Sequence, residues 1–126
     1  DGEKTLPPVE ISVTKGIYDT DARLDPERIQ HFCPVRPESL AALDADSAAA
    51  REALERAALE VYTAYGCRDL ARIDFIWDGH HVMVMGLKTF PGLTETSLVP
   101  MAIEAAGYAV EDVLAQLVEG ALKRGN

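Results

Sequence analysis

Apolar and polar residues alternate along Ala71 to Trp77, so Arg72, Asp74 and Ile76 share one face of an extended chain and Ile73, Phe75 and Trp77 share the other. Asp78-Gly79 then supplies residues that tolerate the positive φ of a tight turn, and alternation resumes over His80 to Lys88. The pattern predicts two antiparallel strands. On the returning strand it places Met83, Met85 and Leu87 on one face and Val82, Val84, Gly86 and Lys88 on the other. Gly86 and Lys88 then lie near Arg72 and Asp74.

The same reading applied to the rest of the chain gives strands over Val9 to Thr14 and Ile29 to Cys33, the second stopped by Pro34. Lys15 to Arg28, rich in charge and turn formers, reads as a loop. Pro37 opens a helical turn at Glu38 to Ala42. Asp46 or Ser47 caps a long helix to about Tyr65, closed by Gly66, with Leu54, Ala58, Val61 and Tyr65 as its apolar stripe. A helix over Ser97 to Ala106 ends at Gly107. Another follows over about Val110 to Lys123, with Val113, Leu114, Leu117, Val118 and Ala121 inward. Met83, Met85 and Met101 are expected to fill the core. Together these elements predict an α+β fold, a small antiparallel sheet of about four strands packed on helices, with 1–126 as a single domain.

Composition narrows the function. With 126 residues of which 48% are hydrophobic, the chain can bury a core. Its net charge of -9 argues against nucleic-acid partners and anionic membrane surfaces, both of which require a basic patch. No run approaches membrane-spanning length and no signal peptide is visible, so a cytoplasmic location is expected. Cys33 and Cys67 lack the spacing of a metal cluster and read as free buried thiols. His80 and His81 adjoin in the hairpin, point to opposite faces and read as exposed turn residues.

The candidate chemistry gathers after the hairpin. Pro91-Gly92 brings backbone N–H groups into the open. Ser97, or Thr96 before it, is positioned to cap a helix whose start favours an anion. Arg72 and Asp74 supply one cation and one carboxylate, either as a structural ion pair on a sheet face or as part of a polar site.

The order RIDF, hairpin, then TFPGLTETSLVPM and an amphipathic helix resembles the carboxyl-terminal part of the D-alanine-D-alanine ligase family of ATP-grasp enzymes. The upstream segment VEISVTKGIYDTDARLDPERIQHFCP resembles the loop of that family that precedes a short strand ending in Cys-Pro. The resemblance implies ATP and magnesium as cofactors and the joining of D-amino acids for cell-wall precursors. By residue, it implies that Arg72 and the Gly92 N–H steady a tetrahedral intermediate, and that Asp74 binds metal. It further implies that Ser97 and Leu98 hold the carboxylate of the second substrate and that Arg23 contacts phosphate. Preorganised donors of this kind are usually the largest catalytic contribution.

The sequence departs from that pattern at four positions. Gly86 and Lys88 stand where the family has Glu and Asn as magnesium ligands, Arg23 where it has lysine, and Leu24 where it has tyrosine. Magnesium wants oxygen ligands; Lys88 is expected to sit where the ion sat and to pair with Asp74. The family's amino-terminal domain and the central domain with its phosphate loop lie outside these residues. The chain alone is therefore expected to be inactive, with the missing ligase domains or a second copy covering the cleft. The alternative is a degenerate, non-catalytic ligase domain kept as a binding or self-association module.

Overall fold

The computed structural model describes residues 4–43, 46–94 and 97–125. Strand β1 (Glu10–Val13) pairs antiparallel with β2 (Ile29–Phe32), with Glu10 opposite Phe32 and Val13 opposite Ile29. Between them lies a short helix, α1 (Thr20–Leu24), where a plain loop was expected. Asp19 explains it: its carboxylate accepts from the Ala22 N–H at 2.8 Å, satisfying a donor that would otherwise favour an open chain. Ala22 is fully buried and anchors this excursion, while Ile17 and Leu24 remain 75% exposed.

Helix α2 (Pro37–Ala41) begins with its proline at a position where no N–H is needed. A network ties it to the first ribbon. The Glu10 carboxylate accepts from the Arg36 backbone N–H at 3.0 Å, from Arg36 Nη2 at 2.9 Å and from Ser39 Oγ at 2.6 Å. The Arg36 guanidinium also lies 3.8 Å from the centroid of Phe32, the residue opposite Glu10.

Helix α3 (Ser47–Ala64) is capped by Asp46, which accepts from Ala49 N, and carries the pairs Arg51–Glu55 and Glu52–Arg56 on its solvent face. Gly66, at φ 62°, closes it. Leu54, Ala58 and Val61 are half-buried as expected. Tyr65 falls just past the helix end and is exposed. The helix packs against α2 and against β4 (Val82–Lys88), the antiparallel partner of β3 (Arg72–Trp77).

The final helices are α4 (Leu98–Ala105) and α5 (Val110–Gly125), which pack on each other. Val99, Ala102 and Ile103 on α4 are buried, Ile103 completely. On α5, Val113, Leu114 and Leu117 are half-buried, whereas Val118 and Ala121 are exposed, so its inward stripe is narrower than its periodicity predicts. Near its end, Arg124 grips both carboxylate oxygens of Asp69, three residues before β3. Tyr62 on α3 donates to the Asp69 carbonyl at 3.3 Å, and Asp69 itself has φ 61°.

The α+β class stands, but among the described residues the strands form two separate two-stranded ribbons, not one sheet of four. Alternation marks which residues extend; it carries no mark of which distant strand they join. The accessible surface is 8896 Å², against about 6,600 Å² for a compact monomer of this mass. Large apolar side chains therefore face water, Met83, Met85 and Phe90 among them, so Met83 and Met85 are not core residues.

Candidate functional site

The second ribbon brings the charged residues together. Arg72 lies directly opposite Lys88, and Asp74 opposite Gly86. Beyond that point the register shifts: Phe75 faces Val84 and Ile76 faces Met83, leaving Met85 unpaired as a bulge. One extra residue reverses the alternation. Met83 therefore joins Lys88 and Gly86 on the face of Arg72, Asp74 and Ile76, while Val84 and Val82 join Leu87 opposite Phe75, Trp77 and Ile73. The expected grouping of Met83 with Leu87 is corrected on that ground.

The hairpin closes over four residues, so His80 and His81 belong to the turn and β4 starts at Val82. Asp78 Oδ1 accepts from the backbone N–H groups of His80 at 2.8 Å and His81 at 2.7 Å, and Gly79 takes φ 96°. The backbone bonds from His81 and His80 hold the Asp78 carboxyl down at about 2. Both histidines are exposed.

Arg72 forms a two-pronged bond to Asp74, Nε to Oδ1 at 2.9 Å and Nη2 to Oδ2 at 3.0 Å. Two residues apart on one strand face, the planar fork reaches both oxygens, a geometry that an ammonium cannot match. The expected Lys88–Asp74 pair does not form; among the described residues Asp74 is paired with Arg72. A Cβ built at Gly86 would lie 4.0 Å from Asp74 Oδ2 with nothing nearer, so space for a side chain exists there.

Past β4 the chain runs through Pro91-Gly92 to α4. A Cβ on Gly92 would meet Ser97 Oγ at 2.9 Å, so a side chain here would push the Ser97 hydroxyl off its present position. Ser97 occupies the capping position of α4, yet its hydroxyl bonds to Thr94, accepting from the Thr94 N–H at 3.1 Å and lying 2.7 Å from Thr94 Oγ1. The expected side-chain cap is thus absent from Ser97, because Thr94 holds the hydroxyl on the loop side; Thr96 lies outside the described residues. Leu98 is the first helical residue and half-buried. Thr94 was missed by sequence reasoning, although a hydroxyl residue three positions before a capping serine is a readable signal.

Arg23 is exposed on α1, and no ion pair or hydrogen bond among the described residues joins it to the Arg72 face. Cys33 and Cys67 are free and half-buried, less enclosed than expected. Burial raises the Cys33 thiol, which donates to the Pro7 carbonyl at 3.6 Å. Among the described residues no cluster of three or more His, Cys, Asp or Glu could hold a metal ion, and no helix is long and apolar enough to cross a membrane. A cavity of about 280 Å³ beside the loop is lined by Leu93, Thr94, Pro100, Glu104, Val110 and Glu111. Neither Arg72 nor Lys88 lines it; with Asp74 40% exposed and Ile76 and Met83 about half exposed, the Arg72 face is open to solvent.

This combination of ribbon, Pro-Gly loop and paired helices corresponds to the carboxyl-terminal part of an ATP-grasp ligase. Residues 1–119 match the family described as D-ala D-ala ligase C-terminus. The chain is 36% identical over 124 residues to a D-alanine–D-alanine ligase of Desulforudis audaxviator, covering 96% of this chain and 37% of the relative. To that of Moorella thermoacetica it is 37% identical over 121 residues, 95% of this chain and 36% of the relative. The crystal structure of the Bacillus anthracis D-alanine–D-alanine ligase complexed with ATP superposes with a TM-score of 0.67 at 28% identity, covering 94% of this chain and 36% of that one. The chain belongs to the D-alanine–D-alanine ligase carboxyl-terminal family. It spans little more than a third of the length of the relatives it matches.

Proposed function

We propose that the chain is the carboxyl-terminal portion of an ATP-dependent ligase of D-amino acids, inactive by itself and completed by the part of the ligase that its relatives carry in addition. The supporting observation is the β3–β4 ribbon, which sets Arg72 and Asp74 on one face opposite Lys88 and Gly86, with the strand that carries Lys88 leading directly into the Gly92–Ser97 loop. In this reading the remaining Arg72 donors and the Gly92 N–H stabilise oxyanion charge, and Ser97 and Leu98 at the start of α4 orient the acceptor carboxylate. Arg23, carried on the charged excursion between β1 and β2, is brought to phosphate when the cleft is covered. Phosphoryl transfer depends on positioning and charge neutralisation, and an open face alone supplies little of either. The large exposed apolar surface agrees with a missing cover.

The test is complementation with the amino-terminal two-thirds of the Desulforudis audaxviator ligase, measuring ADP release with and without D-alanine. The chain alone should release none, and the complemented pair should release ADP only with D-alanine present.

A second reading is a degenerate domain kept for binding or self-association, favoured by Gly86 and Lys88 facing the Asp74–Arg72 pair. It predicts no D-alanine-dependent ADP release even in the complemented pair. If self-association is the role, the chain should sediment as a dimer.

A further inference from the structure

The face formed by Arg72, Asp74, Ile76, Gly86, Lys88 and Met83 is unsuited to a divalent cation. Asp74 is the sole carboxylate among these six residues, and both its oxygens are engaged by Arg72. Gly86 contributes no side chain, although the space beside Asp74 Oδ2 would admit one. Lys88 lies across from Arg72, so a magnesium ion would have to displace a guanidinium fork and then sit beside two cations. The residues present do not fit the metal that the family implies.

The same arrangement suits an anion. Two cations and one carboxylate leave the face with a single positive charge in a chain whose net charge is -9. Arg72 uses two of its five N–H donors on Asp74, and Lys88 makes no ion pair among the described residues. We propose that Lys88 is the resident cation of this site, and that the Arg72–Lys88 face binds a phosphate-type anion without any divalent ion. Lysine acts here as a point charge, with three rotatable donors and no demand for a fixed coordination geometry. The inference rests on the ligase reading only for the class of ligand; the charge arrangement is a property of the ribbon itself.

The experiment uses the 126-residue chain alone, so its result is separate from that of complementation. Pyrophosphate is titrated in EDTA while backbone amide resonances are recorded. The amides of Arg72 to Asp74 and Gly86 to Lys88 should shift saturably. Lys88→Gln should weaken binding at least tenfold with amide dispersion retained, and Lys88→Arg should keep it within about threefold. Manganese at 0.1 mM should leave the Asp74 amide sharp, whereas the double variant Gly86→Glu/Lys88→Asn should show it broadened. Pyrophosphate binding that is absent, or equal in Lys88→Gln, overturns the proposal. So does manganese broadening at Asp74 in the unaltered chain, or its absence in the double variant.

Discussion

The two ribbons each carry an arginine–carboxylate fork, and they use it differently. In the first, Glu10 joins β1 to Arg36 and Ser39, drawing a strand, a connecting segment and α2 into one network, with the Glu10 side chain only 15% exposed. In the second, Arg72 and Asp74 sit two residues apart on one strand, and Asp74 is 40% exposed. A fork that spans elements fixes tertiary structure. A fork within a strand fixes little beyond itself, and leaves its unused donors to solvent or to a ligand. The same chemistry therefore reads as scaffold in one ribbon and as site in the other.

The sharpest way to break this contrast is to remove each acid in turn. Glu10→Ala should lower stability by about 2 kcal/mol in urea unfolding, because it strands Arg36 and Ser39 in a half-enclosed setting. Asp74→Asn should cost no more than about 0.5–1 kcal/mol, the usual value of an exposed pair. Equal losses would erase the distinction.

Acid titration gives a smaller effect with a definite sign. Burial raises the Glu10 carboxyl, but the bonds from the Arg36 side chain, Ser39 and the Arg36 backbone outweigh it and hold the group below its usual 4.5. A depressed folded-state value means that the stabilisation is present above about pH 4.5 and is lost as pH falls through the folded value. Thermal melts from pH 6 to pH 2.5 should show a shallower acid limb in Glu10→Ala than in the unaltered chain.

The smallest effect on stability, yet the one that decides the site's geometry, concerns the bulge. With Cys33 and Cys67 replaced by serine, the pair Ile76→Cys/Met83→Cys should oxidise readily, since directly opposed residues lie within disulfide reach. The pair Ile76→Cys/Val84→Cys should not. Reversed yields would restore the unbroken alternation and move Met83 off the Arg72 face.

Much of the second ribbon is legible in sequence because its signals are local. Alternation and an Asp-Gly turn suffice to predict the hairpin and to bring Gly86 and Lys88 near Arg72 and Asp74. The pairing of Arg72 with Lys88 and of Asp74 with Gly86 comes from the four-residue turn and the bulge. The bulge at Met85 is not legible, since an inserted apolar residue in an apolar strand leaves no compositional trace. Charge alone suggests Lys88 as the partner of Asp74. The winner is Arg72, whose planar fork reaches both oxygens from the same strand face. The separation into two ribbons is likewise hidden, because pairing across a long interval is settled by packing, not by local pattern. Helix α1 was readable from Asp19 and Thr20, but the surrounding charge and glycine masked it.

The clamp of Arg124 on Asp69 closes a ring of chain, and every residue from Arg72 to Leu98 lies inside it. Its fastening is a single ion pair whose side chains are 40% and 33% exposed. Pairs of that kind are individually weak. Opening the ring is thus a local event, available without global unfolding, and it loosens the approach to β3 from the far end of α5. The segment that leads into β3 is in this way tied to a residue 52 positions beyond Arg72.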